Sequence, residues 1–231
     1  MENNILDRGL LHDSPNLSFN ERVQEIKEQG FSFSIGDCLK EGFRLFKKDA
    51  GGFIGFMLIL ILVGMLPLII SVYEPVLGTI LNLAANLATG PLSIGMAIVA
   101  KKIYHNEAYS FSNFFDGFNY FIPLIISAIL VGLLVTLGFL AFLIPGIYLG
   151  VAFSWVNYII VFAGKDVTDA MGASRKVISK NWFLIFGLLI VMGFVVVAGF
   201  LTLGIGLLVA IPVISCSMYI AYEKVIGAQR T

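Results

Sequence analysis

The chain has 231 residues, of which 58% are hydrophobic and 13% charged, and its formal net charge is zero. An average soluble domain carries roughly 25% charged residues, so this composition excludes a soluble globular fold, a nucleic-acid binder and a disordered chain. Four blocks contain no Asp, Glu, Lys or Arg: Gly51–Tyr73, Val76–Ala100, Phe121–Ala163 and Trp182–Tyr222. A membrane-spanning helix needs about 20 consecutive apolar residues. The two shorter blocks therefore hold one span each and the two longer blocks two each, which predicts six transmembrane helices.

Residues 1–31 read as a cytoplasmic tail, and residues 32–231 as the membrane domain. In the tail, Ser18-Phe19-Asn20-Glu21 is a capping box that opens a short helix to about Gln29. Arg22, Glu25, Lys27 and Glu28 are expected on its wet side, and the first 15 residues read as a flexible, solvated leader. The first apolar segment begins only after a long, acid-containing stretch, unlike a secretory signal, so it is expected to remain in the mature chain.

Each pair of spans is preceded by an amphipathic stretch with a helix-capping residue. In the first, Ser34 with Asp37 forms a cap; Ile35, Cys38, Leu39, Gly42, Leu45 and Phe46 share one helical face, and Lys40, Glu41, Arg44, Lys47 and Lys48 the other. Spans 1 and 2 follow, turning at Glu74-Pro75. Asn82, Asn86, Thr89 and Ser93 form a polar stripe on span 2, and Gly90-Pro91 predicts a kink or break there, because proline removes a backbone donor.

In the second stretch, Ser110 or Ser112 caps a helix whose Phe111, Phe114, Phe115 and Phe118 recur at the spacing of an apolar stripe. Spans 3 and 4 turn at Leu143-Ile144-Pro145-Gly146. In the third stretch, Asp166 caps a helix with Val167, Ala170, Met171, Ser174, Val177 and Ile178 on one face and Arg175 and Lys176 on the other. Spans 5 and 6 turn at Gly204–Gly206. The fold class is thus all-α, a six-span bundle made of three repeats of an amphipathic interfacial helix plus a transmembrane hairpin. With two spans per unit, all copies enter the membrane in one direction and the symmetry axis runs along the membrane normal.

All 15 Lys and Arg lie before span 1, after span 2, after span 4 or after span 6, and the three turns named above carry none. Lys and Arg mark the cytoplasmic side, so both termini are expected to be cytoplasmic. Cys38 and Cys216 lack metal-ligand spacing and read as structural. Glycines such as Gly51, Gly55, Gly132, Gly138, Gly187, Gly193 and Gly199 read as helix-packing devices. Trp182, Tyr73, Tyr120 and Tyr222 read as interfacial anchors, and Trp155 as facing other helices.

The words LIPGIYL at Leu143–Leu149, DVTDAMGASRKVISKNWF at Asp166–Phe183 and GIGLLVAIP at Gly204–Pro212 resemble the bacterial integral-membrane domain family found fused to some glycerophosphodiester phosphodiesterases, and its free-standing relatives. Phe31–Phe56 is similar to the start of the same module. The resemblance implies a multi-pass domain of the bacterial cytoplasmic membrane, with no catalytic residues to carry over. A metal-binding phosphodiesterase domain has no counterpart here, and only His12 and His105 are present, short of the four His that a carotenoid-oxygenase iron site would need.

Within the charge-free blocks there is no ionisable acid or base of the kind that proton-coupled transport or intramembrane proteolysis uses. No catalytic residue, cofactor or metal site is expected. Two functions remain. The first is a non-enzymatic scaffold or accessory protein whose Lys40, Arg44, Lys47, Lys48, Arg175, Lys176 and Lys180 engage anionic lipid or a partner's acidic surface. The second is a passive carrier or channel for a lipid or small apolar molecule, with Asn82, Asn86, Thr89, Ser93 and Asn157 lining a polar cavity. Membrane lipids are the expected partners, with a protein partner or a homo-oligomer beside them and no nucleic acid.

Overall fold

A computed structural model describes residues 17–227. The leader expected over the first 15 residues, with Arg8 and His12, lies outside the described residues, as does Arg230. Helix α1 (Phe19–Gln29) opens the described chain, followed by α2 (Ile35–Lys48), α3 (Ala50–Tyr73) and α4 (Pro75–Tyr104). A 3-10 helix over Phe111–Tyr120 leads into α5 (Phe121–Ala141), α6 (Leu143–Ala152) and α7 (Val156–Ala163). Then come α8 (Val167–Lys180), α9 (Trp182–Leu201) and α10 (Leu207–Val225). The fold is all-α, with six segments long and apolar enough to cross a membrane: α3, α4, the 3-10 helix with α5, α6 with α7, α9 and α10.

The spans differ from the expected ones at their ends. α4 runs past the charge-free block to include Lys101 and Lys102, and α10 includes Glu223 and Lys224. The expected break at Gly90-Pro91 is absent: α4 is one helix through a buried Pro91. The interruption falls instead in the fourth span, at Phe153–Trp155, where no proline or glycine announces it. Chain reversal in the second hairpin uses Phe142 alone. Pro145 and Gly146 belong to the first turn of α6, where a missing amide hydrogen costs nothing. The third turn relies on left-handed backbone at Leu203 (φ 56°) and Gly204 (φ 82°).

Burial divides the spans into two groups. The first span of each hairpin, α3, α5 and α9, is little buried; the second, α4, α6 with α7, and α10, is half or more buried. Each amphipathic segment packs antiparallel against a second span. α2 lies on α10, with Gly42 against Ser217 and Glu41 bonded to Lys224 at 2.9 Å. The 3-10 helix lies on α4, with Gly95 against Phe114 and Gly117 against Pro91. α8 lies on α6 and α7, with Ser174 Oγ donating to the Ala152 carbonyl at 2.8 Å and Ser179 Oγ 2.6 Å from Tyr148 OH. Small residues sit at these contacts because they let backbones approach closely.

The second amphipathic segment is a 3-10 helix and not the expected α-helix. Its side chains repeat every three residues, not every 3.6, so Phe114 and Gly117 are buried together while Phe118 turns outward; Phe111, at the start of the same line, is exposed. Asn113 Oδ1 accepts from the Ser110 amide at 2.8 Å and so holds its start. The caps at Ser18 and Ser34 form as read, the latter accepting from the Asp37 amide at 3.2 Å. Asp166 occupies the cap position of α8 without a side-chain bond.

The tail helix is docked. Phe19, Val23 and Ile26 of α1 are buried and the helix packs on α8. Buried Arg22 donates through Nε to the Val225 carbonyl at 3.2 Å and pairs with Glu25 at 2.9 Å. The amphipathic pattern of α1 is therefore used against the membrane domain, which corrects the expectation that Arg22 lies on its wet side.

Of the glycines read as packing devices, Gly138 meets Gly146 and Gly199 meets Gly206 at the hairpin turns, whereas Gly51, Gly132 and Gly193 have no neighbour within 4 Å.

Candidate functional site

Two sets of polar residues stand out, a basic collar and a buried cluster. The collar is built by α2 and α8. The inner face of α2 buries Cys38, Gly42, Leu45 and Phe46, and that of α8 buries Ala170, Ala173, Ser174, Val177 and Ile178. Helical periodicity then turns Lys40, Arg44, Lys47, Lys48, Arg175, Lys176 and Lys180 outward, and all seven are exposed. Among the described residues, none of the seven enters an ion pair. Lys180 Nζ instead donates to the Glu28 carbonyl at 3.2 Å and so ties α8 to α1. Lys47 Nζ lies 4.9 Å from the centre of the exposed Phe43 ring, a cation beside an apolar surface. A basic, aromatic-edged helix such as α2 suits the boundary between head groups and acyl chains.

Burial on the inner side of the collar pushes the Cys38 thiol up to about 11, with the neighbouring Lys224 opposing the shift. Cys216 is also buried, and both cysteines are free. They have the environment of small packed hydrophobes, not of reactive thiols.

The buried cluster went unread in the sequence. It forms where the C-terminal ends of α4, α7 and α10 converge. His105, the residue that ends α4, has Nε2 3.2 Å from Glu223 Oε1 and 3.2 Å from Tyr219 OH. Tyr219 OH donates to Glu223 Oε2 at 3.0 Å. Aromatic rings enclose these groups: Tyr104 and Phe162 pack edge-on to Tyr219, and Trp155, Tyr158 and Phe162 surround Tyr222. Lys101 Nζ sits 5.8 Å from the Phe162 centroid. Tyr222 is fully buried and so is not the interfacial anchor expected of it, while Trp155 is buried among helices as expected. Trp155 Nε1, Tyr222 OH and Ser154 Oγ are buried without a hydrogen-bond partner. The only trace of this cluster in the sequence is the spacing of Tyr219 and Glu223, four residues apart on one helix face.

The expected polar cavity is not gathered into one place. Asn157 of α7 accepts from Ser127 Oγ of α5 at 2.9 Å, a bond between two helices of one hairpin. Asn86, Thr89 and Ser93 are exposed, and each side chain donates to its own helix, at 2.8, 3.0 and 2.9 Å respectively. Among the described residues, no group of three or more His, Cys, Asp and Glu side chains is placed to hold a metal ion. No family model matches this chain, and neither curated proteins nor solved structures provide a match.

Proposed function

We propose that the protein is a non-enzymatic integral-membrane scaffold or accessory protein of the bacterial cytoplasmic membrane, one whose basic collar binds anionic lipid head groups. The observation that carries this reading is that seven exposed Lys and Arg side chains on α2 and α8 have no carboxylate partner among the described residues. Unpaired cations next to the spans attract anionic lipid at about 1 kcal/mol per charge near the surface. The collar faces the cytoplasm in this reading, with both termini on that side, because every Lys and Arg lies at one set of span ends.

The collar belongs to a pseudo-threefold ring of three units, each an amphipathic segment followed by a hairpin. The reading is supported by a cyclic set of contacts. The segment of the second unit rests on the second span of the first, that of the third on the second, and that of the first on α10 of the third. The little-buried first spans then form the lipid-facing rim, and the C-terminal halves of the second spans the centre. A ring of this kind links the collar to the core, since each basic helix is also a wedge between neighbouring units. The likeness of Leu143–Ile226 to free-standing bacterial membrane modules belongs to the same proposal.

Native mass spectrometry of the purified chain exchanged into mixed phosphatidylglycerol and phosphatidylcholine tests it. Selective retention of several phosphatidylglycerol molecules is expected. Equal retention of the two lipids would remove the collar from the account, and a stoichiometric protein retained in place of lipid would replace lipid by an acidic partner.

A further inference from the structure

α4 and α10 come together at their C-terminal ends, where Tyr104 packs on Tyr219 and His105 meets Glu223. The two helices are unequal: α4 has 30 residues and α10 has 19. At 1.5 Å per residue, the beginning of α4 extends well past the beginning of α10. Asn82, Asn86, Thr89 and Ser93 stand close to six, five, four and three turns before Tyr104, hence on the same line of a continuous helix. Near its C-terminal end this line is covered by α10. Towards its start Thr79, Asn86, Thr89 and Ser93 are exposed and Asn82 is half-buried.

This stretch is polar at membrane depth. Thr79 lies on the same line and donates to the Pro75 carbonyl at 2.8 Å, so the hydroxyls of Thr79, Thr89 and Ser93 are satisfied within the helix. The two amides are not. Asn86 spends one N–H on the Asn82 carbonyl and keeps its own side-chain oxygen and a second N–H, and among the described residues nothing hydrogen-bonds the Asn82 side chain. Asn86 lies 15 residues before Lys101, the first charge of this helix, hence about 22 Å from that end and within a hydrocarbon core about 30 Å thick. Acyl chains offer neither donors nor acceptors there.

We propose that this face of α4 is a self-association surface, occupied by α4 of a second copy of the chain. A second copy enters the membrane in the same direction, so it presents Asn82 and Asn86 at the same depth. An amide is donor and acceptor at once, so the stripe is complementary to itself about a twofold axis along the membrane normal, as an isologous interface requires. Thr79, Thr89 and Ser93 have small side chains that let the two helices approach. This inference is independent of the collar, which lies on other helices.

The test is disulfide crosslinking of the full chain in its native membrane, with single cysteines introduced one at a time, followed by the mass of the purified particle in lipid nanodiscs. Cys38 and Cys216 are buried and serve as the silent background, verified on the unaltered chain. Asn82→Cys and Asn86→Cys should crosslink to dimers, and Ala84→Cys and Leu87→Cys, on the opposite exposed face, should not. The unaltered chain should have the mass of two copies, and Asn82→Leu/Asn86→Leu that of one, with its helix content unchanged. Crosslinking that is absent at 82 and 86, or as strong at 84 and 87, overturns the proposal. So does a monomeric unaltered chain, whether bare or carrying a lipid or another protein.

Discussion

Gly42 of α2 lies directly on the backbone of Ser217 of α10: a methyl group added at Gly42 would fall 2.7 Å from the Ser217 nitrogen. This contact holds the first amphipathic helix against the last span and so closes the packing of the chain's beginning on its end.

Replacing Gly42 should therefore separate α2 from α10. Gly42→Ala should cost about 1–3 kcal/mol and Gly42→Val more, as overpacking does in a dense interior. Gly51, with no neighbour within 4 Å, is the control. Thermal unfolding in detergent should show a clear loss of Tm for the first two variants and little change for Gly51→Ala. An unchanged Tm for Gly42→Val would contradict the close packing.

Tyr219 and Glu223 share one hydrogen-bond network with His105, and they should act as a unit. A double-mutant cycle of Tyr219→Phe and Glu223→Gln should give a coupling of about 0.5–3 kcal/mol. Strict additivity would separate the two residues energetically and remove the cluster as a clamp between α4 and α10.

Tyr222 gives the opposite expectation. Its hydroxyl is desolvated and has no partner, so it takes a burial penalty without a compensating bond. Tyr222→Phe should leave stability unchanged or raise it by up to about 1 kcal/mol. A large loss in the same unfolding assay would show that the hydroxyl has a bonded partner, such as an ordered water.

Much of this architecture is legible in the sequence, for identifiable reasons. Spans are read from the absence of charge, and the faces of α2 and α8 from a 3.6-residue period that their buried residues obey. Phe111–Tyr120 escapes that logic because the segment takes a three-residue period, with Gly117 pressed onto the Pro91 carbonyl. Pro91 misleads because a packed helix tolerates the loss of one bond, and the break at Phe153–Trp155 carries no breaker residue. The cluster of His105, Tyr219 and Glu223 unites residues from distant parts of the chain, so local patterns cannot announce it. The collar's cations could be read one by one, but not that they stand without carboxylate partners while Glu41 goes to Lys224.

Cys38 supplies a pH-dependent check. Its thiol is held at about 11 by burial, above the free value near 8.5, so the folded state keeps the proton more tightly than the unfolded state. The associated stability is complete below about pH 8.5 and is lost as pH rises towards 11. Alkylation in native detergent micelles should be slow at pH 8 and should accelerate on raising the pH or on unfolding. Rapid labelling at pH 8 without unfolding would show that the inner face of α2 is open.

The most direct test of the central claim compares anionic-lipid binding by the unaltered chain with that of a collar-reversed variant, Lys40→Glu/Arg44→Glu/Arg175→Glu/Lys176→Glu. These side chains are exposed and unpaired, so the fold should survive the exchange, checked by helix content and Tm. The variant should lose most of its phosphatidylglycerol in native mass spectrometry, at least tenfold in apparent affinity. A folded variant that keeps the same number of anionic lipids would contradict that claim.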